Sequence, residues 1–182
     1  MSGRSRIKNL SESDFMSLET PAVYHHEFPT LEGYLHHRAP YLLLKSVIEI
    51  SDERCVTSAE VSDLADLLAG HFPGAPILPG ALMQEMTTQT AGVLIAGRHN
   101  PMPDYRTDDP HHNEFALGVL VRVRGARYRG FARPGDRLQI TVKLRERVDQ
   151  LFEFSGEVRC RDAVILKNEF QLANIPSKAL IG

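Results

Sequence analysis

The segment Gly70-His71-Phe72-Pro73-Gly74-Ala75-Pro76-Ile77-Leu78-Pro79-Gly80 constrains this chain more than any other. Gly70, Gly74 and Gly80 permit backbone angles and close approaches that a side chain forbids, while Pro73, Pro76 and Pro79 restrict the chain around them. Such a loop holds His71 firmly. Pro79 suits a helix start, where its missing N–H has no intrahelical acceptor to lose, so the spacing predicts a helix from Gly80 to about Ala96 or Gly97. Its unpaired N–H groups and the positive end of its macrodipole face the loop and favour an oxygen that gains negative charge. The Gly80 N–H is therefore a candidate oxyanion donor.

Between Pro79 and Gly97 the only charged residue is Glu85, set among Ala81, Leu82, Met83, Met86, Ala91, Val93, Leu94, Ile95 and Ala96. An ionised carboxylate is costly to bury without a partner. Gln89, four residues on, shares the helical face of Glu85 and can hydrogen-bond and orient its carboxyl. Gly92 continues that face without a side chain. His71 in the loop and Glu85 inside the following helix together have the character of an acid/base pair.

His71-Phe72-Pro73-Gly74, then Pro76, Pro79-Gly80, Glu85, Gln89 and Gly92, resembles the active-site signature of the (3R)-hydroxyacyl-[acyl carrier protein] dehydratases of the FabZ type. Leu35-His36-His37-Arg38-Ala39-Pro40-Tyr41-Leu42-Leu43-Leu44 resembles that family's opening segment. Ala126-Arg127-Tyr128 through Arg133-Pro134-Gly135-Asp136-Arg137-Leu138 resembles its later strand and turn. The similarity spans roughly residues 30 to 175. It implies an α+β hotdog fold, a long helix wrapped by an antiparallel sheet and paired into dimers or larger homo-oligomers, with residues 1–29 as an N-terminal arm and 30–182 as the hotdog domain.

The resemblance also implies the chemistry. Loss of water from a 3-hydroxyacyl thioester needs a base, stabilisation of enolate-like charge and proton delivery to the leaving oxygen. Neutral His71 is expected as the base at the α-carbon and the Gly80 N–H as donor to the thioester carbonyl. Glu85, expected from the other subunit, is the acid or water-orienting group, with Gln89 and Phe72 beside the substrate. Burial should raise the affinity of Glu85 for its proton. No metal or redox cofactor is required. A thioesterase on the same fold, or a non-catalytic partner that binds acyl carrier protein, are the alternatives.

Two departures stand out. Lys45-Ser46 occupy the place of the family's acidic and basic pair, which puts an ion pair there in question. Gln84, Thr87, Thr88 and Thr90 replace apolar residues in the helix, the mark of a divergent member with a specialised acyl substrate.

At 182 residues with 42% hydrophobic composition, the chain can bury one sizeable core and is short for two. Its 21 Lys and Arg against 23 Asp and Glu carry no basic excess to suggest nucleic acid. Cys55 and Cys160 fit neither a disulfide framework nor a metal motif, and Met1 to Arg6 carries positive charge with no apolar stretch behind it, so a cytoplasmic protein without a membrane span is expected.

Elsewhere, Tyr41 to Ile50 reads as a buried strand, with Arg54 to Val61 as its hairpin partner. Alternation at Leu138, Ile140, Val142 and Leu144, and at Phe152, Phe154, Val158 and Cys160, predicts strands with one buried face after a turn at Pro134-Gly135. A short helix is expected near Ser13 to Leu18, and a mobile flap or excursion over Arg98 to Glu114. The pairs His25-His26, His36-His37 and His111-His112 do not read as metal sites, because neighbours on an extended chain point apart. Arg122, Arg124, Arg127, Arg129, Arg133 and Arg137 form a basic cluster. It reads either as a solvated sheet face or, with Arg127, Arg129 and Arg133 foremost, as a dock for acidic acyl carrier protein.

Overall fold

Nineteen residues from Gly80 to Arg98 form the long helix α3, and a six-stranded antiparallel sheet curls around it. The computed structural model describes residues 22–109, 113 and 115–179. The elements that precede α3 are the one-turn helix α1 (Leu31–Tyr34), strands β1 (Ser46–Ile50) and β2 (Arg54–Glu60), and the short helix α2 (Ala65–Leu68). After it come β3 (Phe115–Tyr128), β4 (Arg137–Val148), β5 (Leu151–Cys160) and β6 (Ala163–Pro176). The strand order is β1-β2-β4-β5-β6-β3.

The alternation in β4 and β5 has the consequence expected of it. Leu138, Ile140, Val142, Phe152, Phe154 and Val158 are buried on the face toward α3, joined by Leu166, Phe170 and Leu172 of β6. Each such side chain, fully withdrawn from water, contributes roughly 1.5–3 kcal/mol. From Met86 to Gly97 every residue of α3 is buried, so the helix is enclosed on all sides and not amphipathic. Two glycines let it approach β3. Gly118 adopts φ +75°, and a Cβ there would lie 3.2 Å from the Cα of Gly92.

The polar residues of α3 are paired inside this core. Thr90 shares a 2.7 Å hydrogen bond with Thr57 of β2, while the Asn168 amide of β6 donates to Gln84 at 2.7 Å and to Thr87 at 2.8 Å. Buried polar groups that meet one another in this way cost little and fix the helix against particular strands.

One expectation fails in part. Only Ser46–Ile50 of the apolar run Tyr41–Ile50 is a strand, and it is a largely exposed edge. Leu43 and Leu44 are buried, yet the Leu43 N–H donates 2.9 Å to the Gln89 side chain and not to a neighbouring strand. Sheet pairing begins at Lys45, whose N–H reaches Ser58 O at 2.7 Å. The Lys45 ammonium meets Glu60 at 2.9 Å and Asp63 at 3.3 Å, so Lys45 does make an ion pair at this point. The segment after α3 is an irregular excursion, and it is packed: Met102 and Tyr105 are buried, and the Tyr105 hydroxyl donates to Tyr34 O at 3.0 Å. The helix expected near Ser13 to Leu18 and the pair His111-His112 lie outside the described residues.

Candidate active site

The Gly/Pro loop closes on His71. Its N–H donates to Leu68 O at 2.8 Å, its carbonyl accepts from the Ile77 N–H at 2.9 Å, and its ring Nδ1 lies 3.0 Å from Ile77 O. A carbonyl only accepts, so Nδ1 carries the proton and Nε2 keeps its lone pair. That is the tautomer a base needs. The Phe72 ring stacks on the imidazole at 4.3 Å between centroids and is itself exposed. The peptide bond between His71 and Phe72 is cis.

Gly80 opens α3 as expected. The first helical bonds run from Leu82 and Met83 to Pro79 O, leaving the Gly80 N–H ahead of them without an acceptor among the described residues. A Cβ on Gly80 would sit 2.8 Å from the Tyr128 ring, so the glycine is required by close packing as well as by the turn. Sequence reasoning did not single out Tyr128. Its only signal was its place beside Arg127.

Glu85 lies within the second turn of α3, its side chain 17% exposed. Burial raises the proton affinity of its carboxyl, and a hydrogen bond from Gln89 opposes this. Gln89 Nε2 donates to Glu85 Oε1 at 3.0 Å and to Tyr41 O at 2.8 Å, while Gln89 Oε1 accepts from Leu43 N–H. One buried amide thus fixes both the carboxyl and the backbone of residues 41–43. Among the described residues no hydrogen bond or ion pair joins Glu85 to His71; the imidazole near Glu85 is that of His37, 3.6 Å away.

The basic cluster divides. Arg124 pairs with Glu153 at 2.9 Å and Arg137 with Glu60 at 3.5 Å. Arg127 and Arg129, with Lys143, Arg145 and Lys167, line a trough on the outer sheet face, while the Arg133 guanidinium lies over the Phe131 ring. Leu78 N–H donates to Ala132 O at 2.8 Å, so the arginine-bearing segment runs beside the His71 loop. The histidine pair 36–37 diverges, His36 toward Asn113 and His37 toward Glu85. Among the described residues no group of His, Cys, Asp and Glu could hold a metal, and no helix is long and apolar enough to cross a membrane.

The family model described as ApeI-like, ApeI dehydratase, matches residues 47–164. The 3-hydroxyacyl-[acyl-carrier-protein] dehydratase FabZ of Syntrophobacter fumaroxidans is 31% identical over 137 residues, covering 75% of this chain and 86% of that protein. FabZ of Coxiella burnetii is 31% identical over 140 residues, 76% and 92% of the two chains. Among solved structures, the dehydratase heterocomplex ApeI:P of Xenorhabdus doucetiae superposes with a TM-score of 0.67 at 25% identity over 85% of this chain and 97% of that one. A hypothetical thioesterase of Streptococcus pneumoniae with coenzyme A, 11% identical with a TM-score of 0.52 over 72% and 85% of the two chains, shares the fold alone. The chain belongs to the ApeI-like dehydratase family of hotdog proteins.

Proposed function

We propose that this protein eliminates water from a (3R)-3-hydroxyacyl thioester on acyl carrier protein, giving the trans-2-enoyl thioester. The observation that carries the proposal is the His71 ring, held by Ile77 O with Nε2 left as a base, in a chain of a dehydratase family. His71 Nε2 takes the α-proton, and the Gly80 N–H donates to the thioester carbonyl as it gains charge. The bond to the β-oxygen then breaks, its electron pair leaves with oxygen, and the Glu85 carboxyl supplies the proton that makes it water. Burial raises the proton affinity of this carboxyl, the direction a general acid requires.

His71 and Glu85 are taken to meet across a subunit boundary, since within the chain Glu85 is engaged by Gln89 and His37. Strand β3 supports an assembled form: it is a sheet edge fourteen residues long that exposes Leu120, Val121 and Val123, a liability unless covered. A homodimer is the simplest form with two equal sites. Acyl carrier protein is the proposed partner at Arg127, Arg129 and Arg133, and the cytoplasm the proposed compartment.

The test is to incubate the isolated protein with a series of 3-hydroxyacyl carrier thioesters and follow the products by mass. Loss of 18 mass units from the acyl chain, the mass of one water, is expected. Release of the free hydroxy acid instead would make the protein a thioesterase, and no turnover on any chain would make it a binding partner.

A further inference from the structure

We propose that His37 is the positioning partner of Glu85: its Nε2–H and the Gln89 amide both address Oε1, which leaves Oε2 as the oxygen that carries and delivers the proton. This rests on the reading of Glu85 as proton donor.

The geometry converges on one oxygen. Gln89 Nε2 donates to Glu85 Oε1 at 3.0 Å, while His37 Nε2 lies 3.6 Å from the same atom, just beyond hydrogen-bond length, and closes onto it as charge develops there. The other ring nitrogen decides the tautomer. His37 Nδ1 is buried without a hydrogen-bond partner among the described residues, so a proton placed there would meet no acceptor, whereas a proton on Nε2 lies on the carboxyl side of the ring, 3.6 Å from Oε1. The ring is held in place. Tyr41 stacks on it at 5.9 Å and 25°, Gln89 grips Tyr41 O, and Arg38 bonds to the carbonyls of Leu35 and His37 at 2.8 Å each. One glutamine therefore sets both the carboxyl and the segment that carries its second donor.

The charged and titratable surroundings keep His37 neutral. Burial disfavours the imidazolium, and the adjacent Arg38 cation disfavours it further. His36 turns away to Asn113, and burial raises the proton affinity of the Tyr41 phenol, as charge on Glu85 does further once its proton has left. When the Oε2–H bond breaks and the proton joins the departing hydroxide, negative charge spreads onto Oε1. The Gln89 N–H already bonds to it and the His37 N–H, 3.6 Å away, shortens onto it, and neither loses its proton.

His37→Phe, which keeps ring bulk without a donor, and His37→Gln, which restores an N–H, make the test. Loss of the donor should lower kcat about tenfold, the worth of one hydrogen bond to a charged group, while KM stays within about twofold. The alkaline limb of the kcat profile should move to higher pH, because an unassisted carboxylate holds its proton more tightly. His37→Gln should recover kcat to within about threefold and return the limb. Wild-type kcat and limb in His37→Phe would overturn the proposal. So would equal losses in both variants with an unmoved limb, the signature of a structural role. If His37→Phe does not fold, nitrogen NMR of the wild-type ring decides: an Nε2–H tautomer whose resonances respond to Glu85→Gln is expected, and an Nδ1–H tautomer or no response overturns it. An active Glu85→Gln enzyme would instead sink Glu85 as proton donor, and the same spectra would still judge the pairing.

Discussion

Gln89→Leu removes three hydrogen bonds from a side chain only 1% exposed. The Leu43 N–H and the Tyr41 carbonyl lose their partner, at about 1–1.5 kcal/mol each. That loss, about 2–3 kcal/mol, should be independent of pH. The Glu85 carboxylate also loses a donor, which adds about 1 kcal/mol once discounted for its partial exposure, and this part depends on pH. Burial already raises the folded proton affinity of Glu85 above its unfolded value, and removal of the Gln89 donor raises it further. The folded state then binds more protons than the unfolded state between the two values, so stability falls as pH rises through that window. Below the unfolded value the carboxyl is neutral in both states and this penalty vanishes. Thermal denaturation at one protein concentration should show Tm lowered by about 4–12 °C near pH 4 and by a further ~2–4 °C at pH 7.5, at 2–4 °C per kcal/mol for a domain of this size. A deficit that is flat or shrinks with rising pH would refute the role given to Gln89 at Glu85. A Tm change below about 2 °C at both ends would refute its role as anchor of residues 41–43.

His71→Ala and Glu85→Gln should each lower kcat about 100-fold or more with the fold intact by circular dichroism, and the double variant should lose little beyond either single one; near-normal turnover in either would remove that residue from the site. Mixing the two inactive variants should form heterodimers with one complete site and return up to about half of wild-type activity per heterodimer, whereas no recovery after demonstrated subunit exchange would place the pair within one chain. Charge reversal at Arg127, Arg129 and Arg133 should raise KM for carrier-linked substrate and weaken its salt dependence, with less effect on a short pantetheine thioester. Equal effects on both substrates would return those arginines to a solvated face.

The parts of the fold legible in the sequence are those whose signals are local. Pro79 and Gly80 announce the helix start, and alternation between Leu138 and Leu144 announces a strand, because each pattern fits within a few residues. The run Tyr41–Lys45 misleads for the opposite reason. Leu43 and Leu44 are buried as a strand's residues would be, but the run's hydrogen bonds go to the Gln89 side chain, more than forty residues away in the chain. No window of local sequence contains both ends of that contact. His37 lies in the segment that resembles the family's opening, where its adjacency to His36 raises only the question of metal. Its place beside Glu85 depends on the same glutamine. The polar substitutions at Thr87 and Thr90 were visible, but their partners Asn168 and Thr57 lie on separate strands.

The irregular register of β3 bears on which chains can join this one. Between Ala116 and Gly125 its pairing with β6 slips at three places, and each slip changes which side chains face which way. A second chain laid along the free side of β3 must match that uneven spacing as well as the apolar surface. If assembly runs along this edge, an inserted or deleted residue in β3 would disturb the match more than an exchange of one side chain, because it shifts every position beyond it. The fit of a second copy would then depend on the backbone of one edge as much as on its side chains.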